Sequence, residues 1–203
     1  MTKLDALVAG MLLLAGTVAF AADPVDLRAY QTRCANCHGQ NAWGDEEKRV
    51  PAIAGLPAAY VIRQIEAYRG DLREEARMHR EAVTIGEDLA GAAAVIAGMT
   101  PLRPVRQGPA DSANGKVIVR ELCAECHGSR CQGLPERGSP PLTGFQSWYV
   151  VDQILRFKEF ARAGDSRSLD SSRMHSIAYK VISVEDVEDV AAYLVEEAGK
   201  GAK

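Results

Sequence analysis

The sequence predicts an all-α protein built from two similar halves, and three observations support this prediction. First, the segment from Cys34 to about Arg73 repeats without a gap 89 positions further along the chain. Second, apolar residues recur at helical spacing, as Tyr60, Ile65 and Tyr68 do. Third, neither half shows the alternation of apolar and polar residues that indicates a β-strand. A repeat that spans most of the chain predicts two small domains rather than one large domain.

The predicted elements follow the same order in both halves. A first helix leads into a Cys-x-x-Cys-His motif, a middle helix follows a proline-containing loop, and a last helix closes the half. The predicted helices are 25–33, 57–68 and 86–97 in the first half, and 112–122, 147–161 and 184–197 in the second. Pro57 opens one middle helix, and Ser147 and Ser183 are the predicted caps of two helices in the second half. Residues 163–172, rich in Gly, Ser and Asp, predict a loop.

Composition argues against nucleic acid as a partner and provides few large side chains for a core. The 24 Lys and Arg against 27 Asp and Glu give a net charge of −3, which disfavours nucleic acid. Aromatic residues make up only 6% of the chain, so each half has few large side chains to fill an interior. A buried prosthetic group in each half would supply the missing apolar bulk.

The repeated motif carries the chemistry. It is Cys34-Ala-Asn-Cys37-His38 in the first half and Cys123-Ala-Glu-Cys126-His127 in the second. Cys-x-x-Cys-His is the attachment signature of a c-type haem, in which both thiols bond to the haem and the histidine reaches the iron. A thioredoxin-like motif needs a βαβ setting, and a four-cysteine zinc site would leave both histidines unexplained. A structural disulfide would not require a histidine after each motif. The sequence therefore predicts two covalently attached haem c groups.

The chain ends and the linker define the predicted domains. Residues 1–21 have the features of a secretory signal peptide: Lys3, an apolar run, and Ala19-Phe20-Ala21 as the cleavage site. The run is shorter than the roughly 20 residues of a membrane span, although retention as an uncleaved anchor stays open. Residues 101–109, with three prolines and a glycine, predict a linker between domains at 22–100 and 110–203. We expect a periplasmic protein without stable membrane insertion after cleavage.

The layout resembles class I cytochromes c, and its duplication resembles the dihaem cytochrome c4 family over the whole mature chain. Shared features are a Tyr-x-x-x-Gln pattern in both middle helices, an arginine after each, and a Met-x-Ser-Ile-Ala segment; here they are Tyr60 and Gln64, Tyr149 and Gln153, Arg73 and Arg162, and Met174 to Ala178. The resemblance implies two tandem class I cytochrome c domains, each wrapped around one covalently bound haem. It also implies electron transfer between redox proteins, such as a membrane quinol-oxidising complex and a terminal oxidase.

The resemblance further implies roles for particular residues. The iron ligands would be His38 with Met78 in the first half and His127 with Met174 in the second. The carbonyls of Pro51 and Pro140 would accept a hydrogen bond from the two histidines, and Arg73 and Arg162 would pair with haem propionates. Three residues compete for the axial positions: His79 and His175, which directly follow the two methionines, and the unpaired cysteine, Cys131.

We therefore predict a respiratory electron carrier that is not itself an enzyme. One alternative is a cytochrome subunit of a dehydrogenase complex, such as a flavocytochrome that oxidises a sulfur compound. A second is a dihaem enzyme that acts directly on a small substrate, which would need an open or weakly ligated iron.

Overall fold

The protein is all-helical, as the sequence predicts. The computed structural model describes residues 27–105, 108–159, 161–162, 169–181 and 183–200. Within these ranges there is no β-strand, and each half has one isolated bridge, Asp45 with Val50 and Leu134 with Ser139. The predicted signal peptide, 1–21, lies outside the described residues. None of the helices in the described ranges is both long and apolar enough to span a membrane.

Over the described ranges, each half contains five α-helices in equivalent order. The first half has α1 (Leu27–Arg33), α2 (Ala35–His38), α3 (Ala58–Arg69), α4 (Ala76–Thr84) and α5 (Asp88–Gly98). The second has α6 (Ser112–Ile118), α7 (Ala124–His127), α8 (Ser147–Lys158), α9 (Leu169–Ala178) and α10 (Val184–Lys200). A π-helical turn, Val119–Cys123, joins α6 to α7, and a 3₁₀ turn covers Pro135–Arg137.

The first and last long helices of each half cross and pack together. Helix α1 lies on α5, and α6 lies on α10. Gly115 of α6 makes the second crossing close, because a Cβ atom at this position would collide with the backbone of Asp189. In the first half, a Cβ at Gly91 would lie 3.4 Å from the Cβ of Ala29. Glycine thus allows the helix backbones to approach each other.

Each half has its own apolar core, and one residue contacts both. Tyr30, Leu56 and Ile96 belong to the core of the first half, whereas Val119 and Leu194 belong to the core of the second. The side chain of Phe145, which comes just before α8, packs against both clusters. The two halves therefore meet at the start of α8.

One of the two caps predicted for the second half differs in the structure. Ser147 is the first helical residue of α8, not its cap, and its buried Oγ has no hydrogen-bond partner among the residues that the structure describes. Gln146 occupies the cap position with extended backbone, as Pro57 does before α3. The predicted cap at Ser183 is present, because its Oγ accepts a hydrogen bond from the Asp186 N–H at 3.0 Å.

The segments around Met78 and Met174 are helical, which the sequence analysis did not predict. Helix α4 contains Met78, and α9 begins at Leu169, inside the segment predicted as a loop. That prediction is wrong for 169–172. Packing of α9 on α8 overrides the weak helix propensity of the serines in this segment.

Candidate functional site

Both Cys-x-x-Cys-His motifs fold in the same way. Each forms a single helical turn, α2 or α7, that ends at a glycine with positive φ, 80° at Gly39 and 84° at Gly128. A left-handed position after the histidine favours glycine, which has no Cβ to strain the turn. The turn places both thiols and the histidine of a motif on one short stretch of backbone.

The two motif histidines are oriented by backbone carbonyls. Nδ1 of His38 lies 2.9 Å from the oxygen of Pro51, and Nδ1 of His127 lies 2.8 Å from the oxygen of Pro140. Both rings are only 6% exposed, and this burial lowers the pKa of each histidine. A neutral ring that donates from Nδ1 keeps the lone pair on Nε2, which is the form that ligates a metal.

None of the four motif cysteines is in a disulfide. Cys37 is exposed, whereas Cys34, Cys123 and Cys126 are partly buried. Burial raises the pKa of Cys34 to about 11 and that of Cys123 to about 12. Among the described residues, no group of three or more Cys, His, Asp or Glu is arranged to hold a metal ion, as a zinc site shared by the motifs would require.

A large cavity opens beside the second motif. Its volume is about 740 Å³, and Cys123, Cys126 and His127 lie on its wall together with Met174 of α9. Most of the remaining lining is apolar and comes from both halves: Ile62 and Leu72 belong to the first, and Leu142, Phe145 and Leu194 to the second. Two thiols, a ligating histidine, a thioether and an apolar wall are the set of groups that a covalently bound haem needs. The residues of this cavity therefore fit a haem c.

The two histidines that follow the methionines have other partners. Nδ1 of His79 lies 2.9 Å from the oxygen of Tyr68 and 3.0 Å from Oδ1 of Asp71. Nδ1 of His175 lies 2.7 Å from the oxygen of Phe157. Each ring thus fixes its helix to the end of the middle helix of the same half. Of the described residues, Met174 lines the cavity and His175 does not.

Arg73 and Arg162 form a network that joins the two halves. Arg73 donates to the Tyr149 hydroxyl at 2.5 Å, and Arg162 donates to the Tyr60 hydroxyl at 2.7 Å, so each arginine reaches the tyrosine of the other half. Each also donates to both middle-helix glutamines, with distances of 2.9 and 2.9 Å for Arg73 and 2.6 and 3.1 Å for Arg162; these glutamines are Gln64 and Gln153. The sequence analysis singled out these residues but did not predict that they bond to one another.

Both arginines are buried, with 7% and 8% of their surface exposed. Their described hydrogen bonds all go to neutral oxygens, and both side chains line the cavity. Two buried positive charges whose described partners include no carboxylate are costly unless an anionic group approaches them. This environment is the one expected for partners of haem propionates.

Cys131 is a core residue of the second half. Its side chain is fully buried, and burial raises the pKa of its thiol to about 11. Its backbone is left-handed, with φ of 57°, as is that of Ala42 at the equivalent position of the first half, with φ of 59°. The two residues occupy the same turn after the motif, where the side chain packs inward.

Known proteins resemble the chain over most of its length. Residues 112–197 match the cytochrome c family model. A cytochrome c4 of Pseudomonas aeruginosa is 28% identical over 94% of this chain and 98% of its own length. A thiosulfate dehydrogenase electron acceptor of Thiomonas intermedia is 26% identical over 93% of this chain and 87% of its own.

Solved structures show the same fold. Cytochrome c4 of Acidithiobacillus ferrooxidans superposes with a TM-score of 0.67 at 28% identity, covering 81% of this chain and 98% of that one. A thiosulfate dehydrogenase of Marichromatium purpuratum also gives a TM-score of 0.67, at 25% identity. The matched region covers 80% of this chain and only 36% of that protein. The paired motifs, the helical fold and these similarities support a cytochrome c4-like protein, of which residues 112–197 match the cytochrome c family model.

Proposed function

We propose that this c-type cytochrome is a periplasmic electron carrier with one haem c in each half. The observation that supports this proposal most directly is the equivalence of the two sites. Each half has the same attachment turn, the same histidine held by a proline carbonyl and a methionine on the helix before the last. A duplicated chain that keeps both sets of ligands can hold two redox groups side by side.

Each residue set has a distinct task in this proposal. The paired thiols would hold the haem covalently, and the motif histidine together with Met78 or Met174 would ligate its iron. The haem would supply a one-electron couple between ferric and ferrous iron. With both of these ligands supplied by side chains, the protein would exclude water and small substrates from the metal. Arg73 and Arg162, buried at the junction of the halves, would neutralise the propionates.

The proposed domains are 22–100 and 110–203, with 101–109 as the linker and 1–21 as a cleaved signal peptide. Haem c is attached outside the cytoplasm in the proteins that this chain resembles, which supports a periplasmic location. The hydrogen bonds that join the two halves support electron passage between the sites, because they hold the halves in contact.

Two kinds of protein are candidates for the electron donor. The relative from Thiomonas intermedia is named a thiosulfate dehydrogenase electron acceptor, which favours a dehydrogenase as the electron donor. A membrane quinol-oxidising complex as donor and a terminal oxidase as acceptor are the other proposed partners. Reduction of the purified protein by a candidate dehydrogenase, followed in stopped flow, distinguishes these donors by rate.

An optical spectrum of the oxidised protein tests the proposed ligands. The weak band near the infrared edge reports a methionine sulfur on ferric haem c. We expect Met78→Ala and Met174→Ala each to remove part of the band, while His79→Ala and His175→Ala, as matched controls, leave it in place. A parent protein without the band would contradict methionine ligation, and turnover of peroxide or thiosulfate without a partner would favour a dihaem enzyme instead.

A further inference from the structure

A glutamine of the second half contacts the loop that orients the motif histidine of the first half. Gln146 is 8% exposed and lies at the start of α8. Its Oε1 accepts a hydrogen bond from the Ala52 N–H at 2.9 Å, and its Nε2 donates to the oxygen of Trp43 at 3.0 Å. Reversing the amide would place a donor against a donor and an acceptor against an acceptor, so only this orientation satisfies both contacts.

The Ala52 N–H belongs to the same peptide group as the Pro51 carbonyl. One side of this peptide accepts the hydrogen bond of His38, and its other side donates to Gln146. Hydrogen bonds in such a chain polarise one another, so donation from the N–H makes the carbonyl a stronger acceptor. A stronger acceptor raises the basicity of the imidazole that donates to it.

The second half lacks this arrangement at both ends. The peptide that accepts from His127 joins Pro140 to Pro141, and a proline nitrogen has no hydrogen to donate. The position equivalent to Gln146 is Pro57, which has no side-chain amide. The contact therefore acts in one direction only, from the second half to the first.

We propose that Gln146 is a positioning residue for the first redox site, acting on His38 through the Pro51–Ala52 peptide from across the junction of the halves. The inference rests on the proposed function. A more basic proximal imidazole stabilises ferric iron, so Gln146 lowers the reduction potential of the first site and leaves the second unchanged. Two differences between the halves make the repeat asymmetric: Ala52 stands where the second half has Pro141, and Gln146 stands where the first half has Pro57.

Redox titration of the intact haem-loaded protein tests this inference. Gln146→Met keeps the length of the side chain and removes both hydrogen bonds. We expect it to raise the ratio of ferrous to ferric iron at the first site about two- to fivefold at a fixed potential. Since tenfold corresponds to 59 mV for one electron, this change is a shift of about 18 to 41 mV. The titration has one component for each site, and the component whose potential changes in Met78→Ala belongs to the first site.

Two further variants separate this effect from general loosening of the junction. Gln146→Glu keeps an acceptor for the Ala52 N–H and adds negative charge, so it should not raise the potential of the first site. Ser147→Ala removes a neighbouring hydroxyl that has no partner, and it should move neither component. A Gln146→Met protein in which both components shift together, or neither shifts, would overturn the inference. Haem content is measured first, because a parent protein without two attached haems contradicts the proposed function instead.

Discussion

Tyr149→Phe is expected to weaken the junction between the halves by about 1.5 kcal/mol. The substitution removes only the hydroxyl that accepts from Arg73 at 2.5 Å and keeps the ring contact with Phe145, whose centroid lies 5.2 Å away. A hydrogen bond to a charged group contributes about 1.5–3 kcal/mol. We expect the lower end of this range, because Arg73 keeps two hydrogen bonds to glutamine oxygens.

A double-mutant cycle isolates the contact itself. The single variants Tyr149→Phe and Arg73→Met and their combination are unfolded in urea, and the free energy of unfolding is obtained by linear extrapolation. The two residues are 76 positions apart and are partly buried together, so their coupling energy reports contact between the halves. We expect a coupling of about 1–2 kcal/mol, within the range observed for residues that touch.

The control is Tyr179→Phe, since Tyr179 is 71% exposed and its hydroxyl should change stability by less than about 0.5 kcal/mol. Tyr60→Phe, at the equivalent contact with Arg162, should reproduce the loss seen for Tyr149→Phe. A coupling energy below about 0.5 kcal/mol would refute the reasoning, because the cross-half pairing would then contribute little to stability.

Three further predictions concern the second half. Gly115→Ala should cost about 3 kcal/mol in urea unfolding because its Cβ meets the backbone of Asp189, and a loss below about 1 kcal/mol would contradict the close crossing. The Ser183 N–H donates a hydrogen bond to the Asp186 carboxylate and lowers its pKa. The ionised carboxylate therefore contributes stability above the usual carboxyl pKa, and this contribution is lost as pH falls through the lowered pKa. Asp186→Asn should therefore make stability less dependent on pH in the acid range, and an unchanged acid-unfolding profile would count against this. Cys131→Ala should cost only about 1–2 kcal/mol and leave haem content and the oxidised spectrum unchanged, since alanine occupies the equivalent buried position of the first half; an altered spectrum would assign the thiol a role at the metal.

The sequence was sufficient for the motifs and for most helices because these depend on local signals. The Ser183 cap is such a signal, since its hydroxyl accepts from a backbone N–H three residues away. The same holds for the repeat, in which each half supports the interpretation of the other. The cap predicted for α8 is wrong by one residue, because serine is a common cap and the sequence does not show that Gln146 precedes it in extended backbone.

Helix α4 had no comparable signal. Arg77, His79 and Arg80 surround Met78, so the segment is polar on average, and of its residues only Ala82 is buried. Contacts from elsewhere in the fold stabilise it: the Arg69 side chain donates to the oxygen of Ala82, and His79 lies against the end of α3. A helix stabilised by tertiary contacts is not predictable from its own periodicity.

The junction of the halves shows how a duplicated chain can give two unequal sites. In a symmetric dimer every contact occurs twice, and one substitution alters both sites equally. The Arg73–Tyr149 and Arg162–Tyr60 pairs keep this reciprocity and hold the halves together. Once two copies lie on one chain, each position can change alone. Arg63, for example, donates to the Gly138 oxygen of the other half, whereas Asp152 at the equivalent position pairs with Arg156 of its own half. Contacts that only one half makes can distinguish the two sites. An electron shared by two unequal sites occupies the site of higher potential, whereas equal sites give it no preferred position.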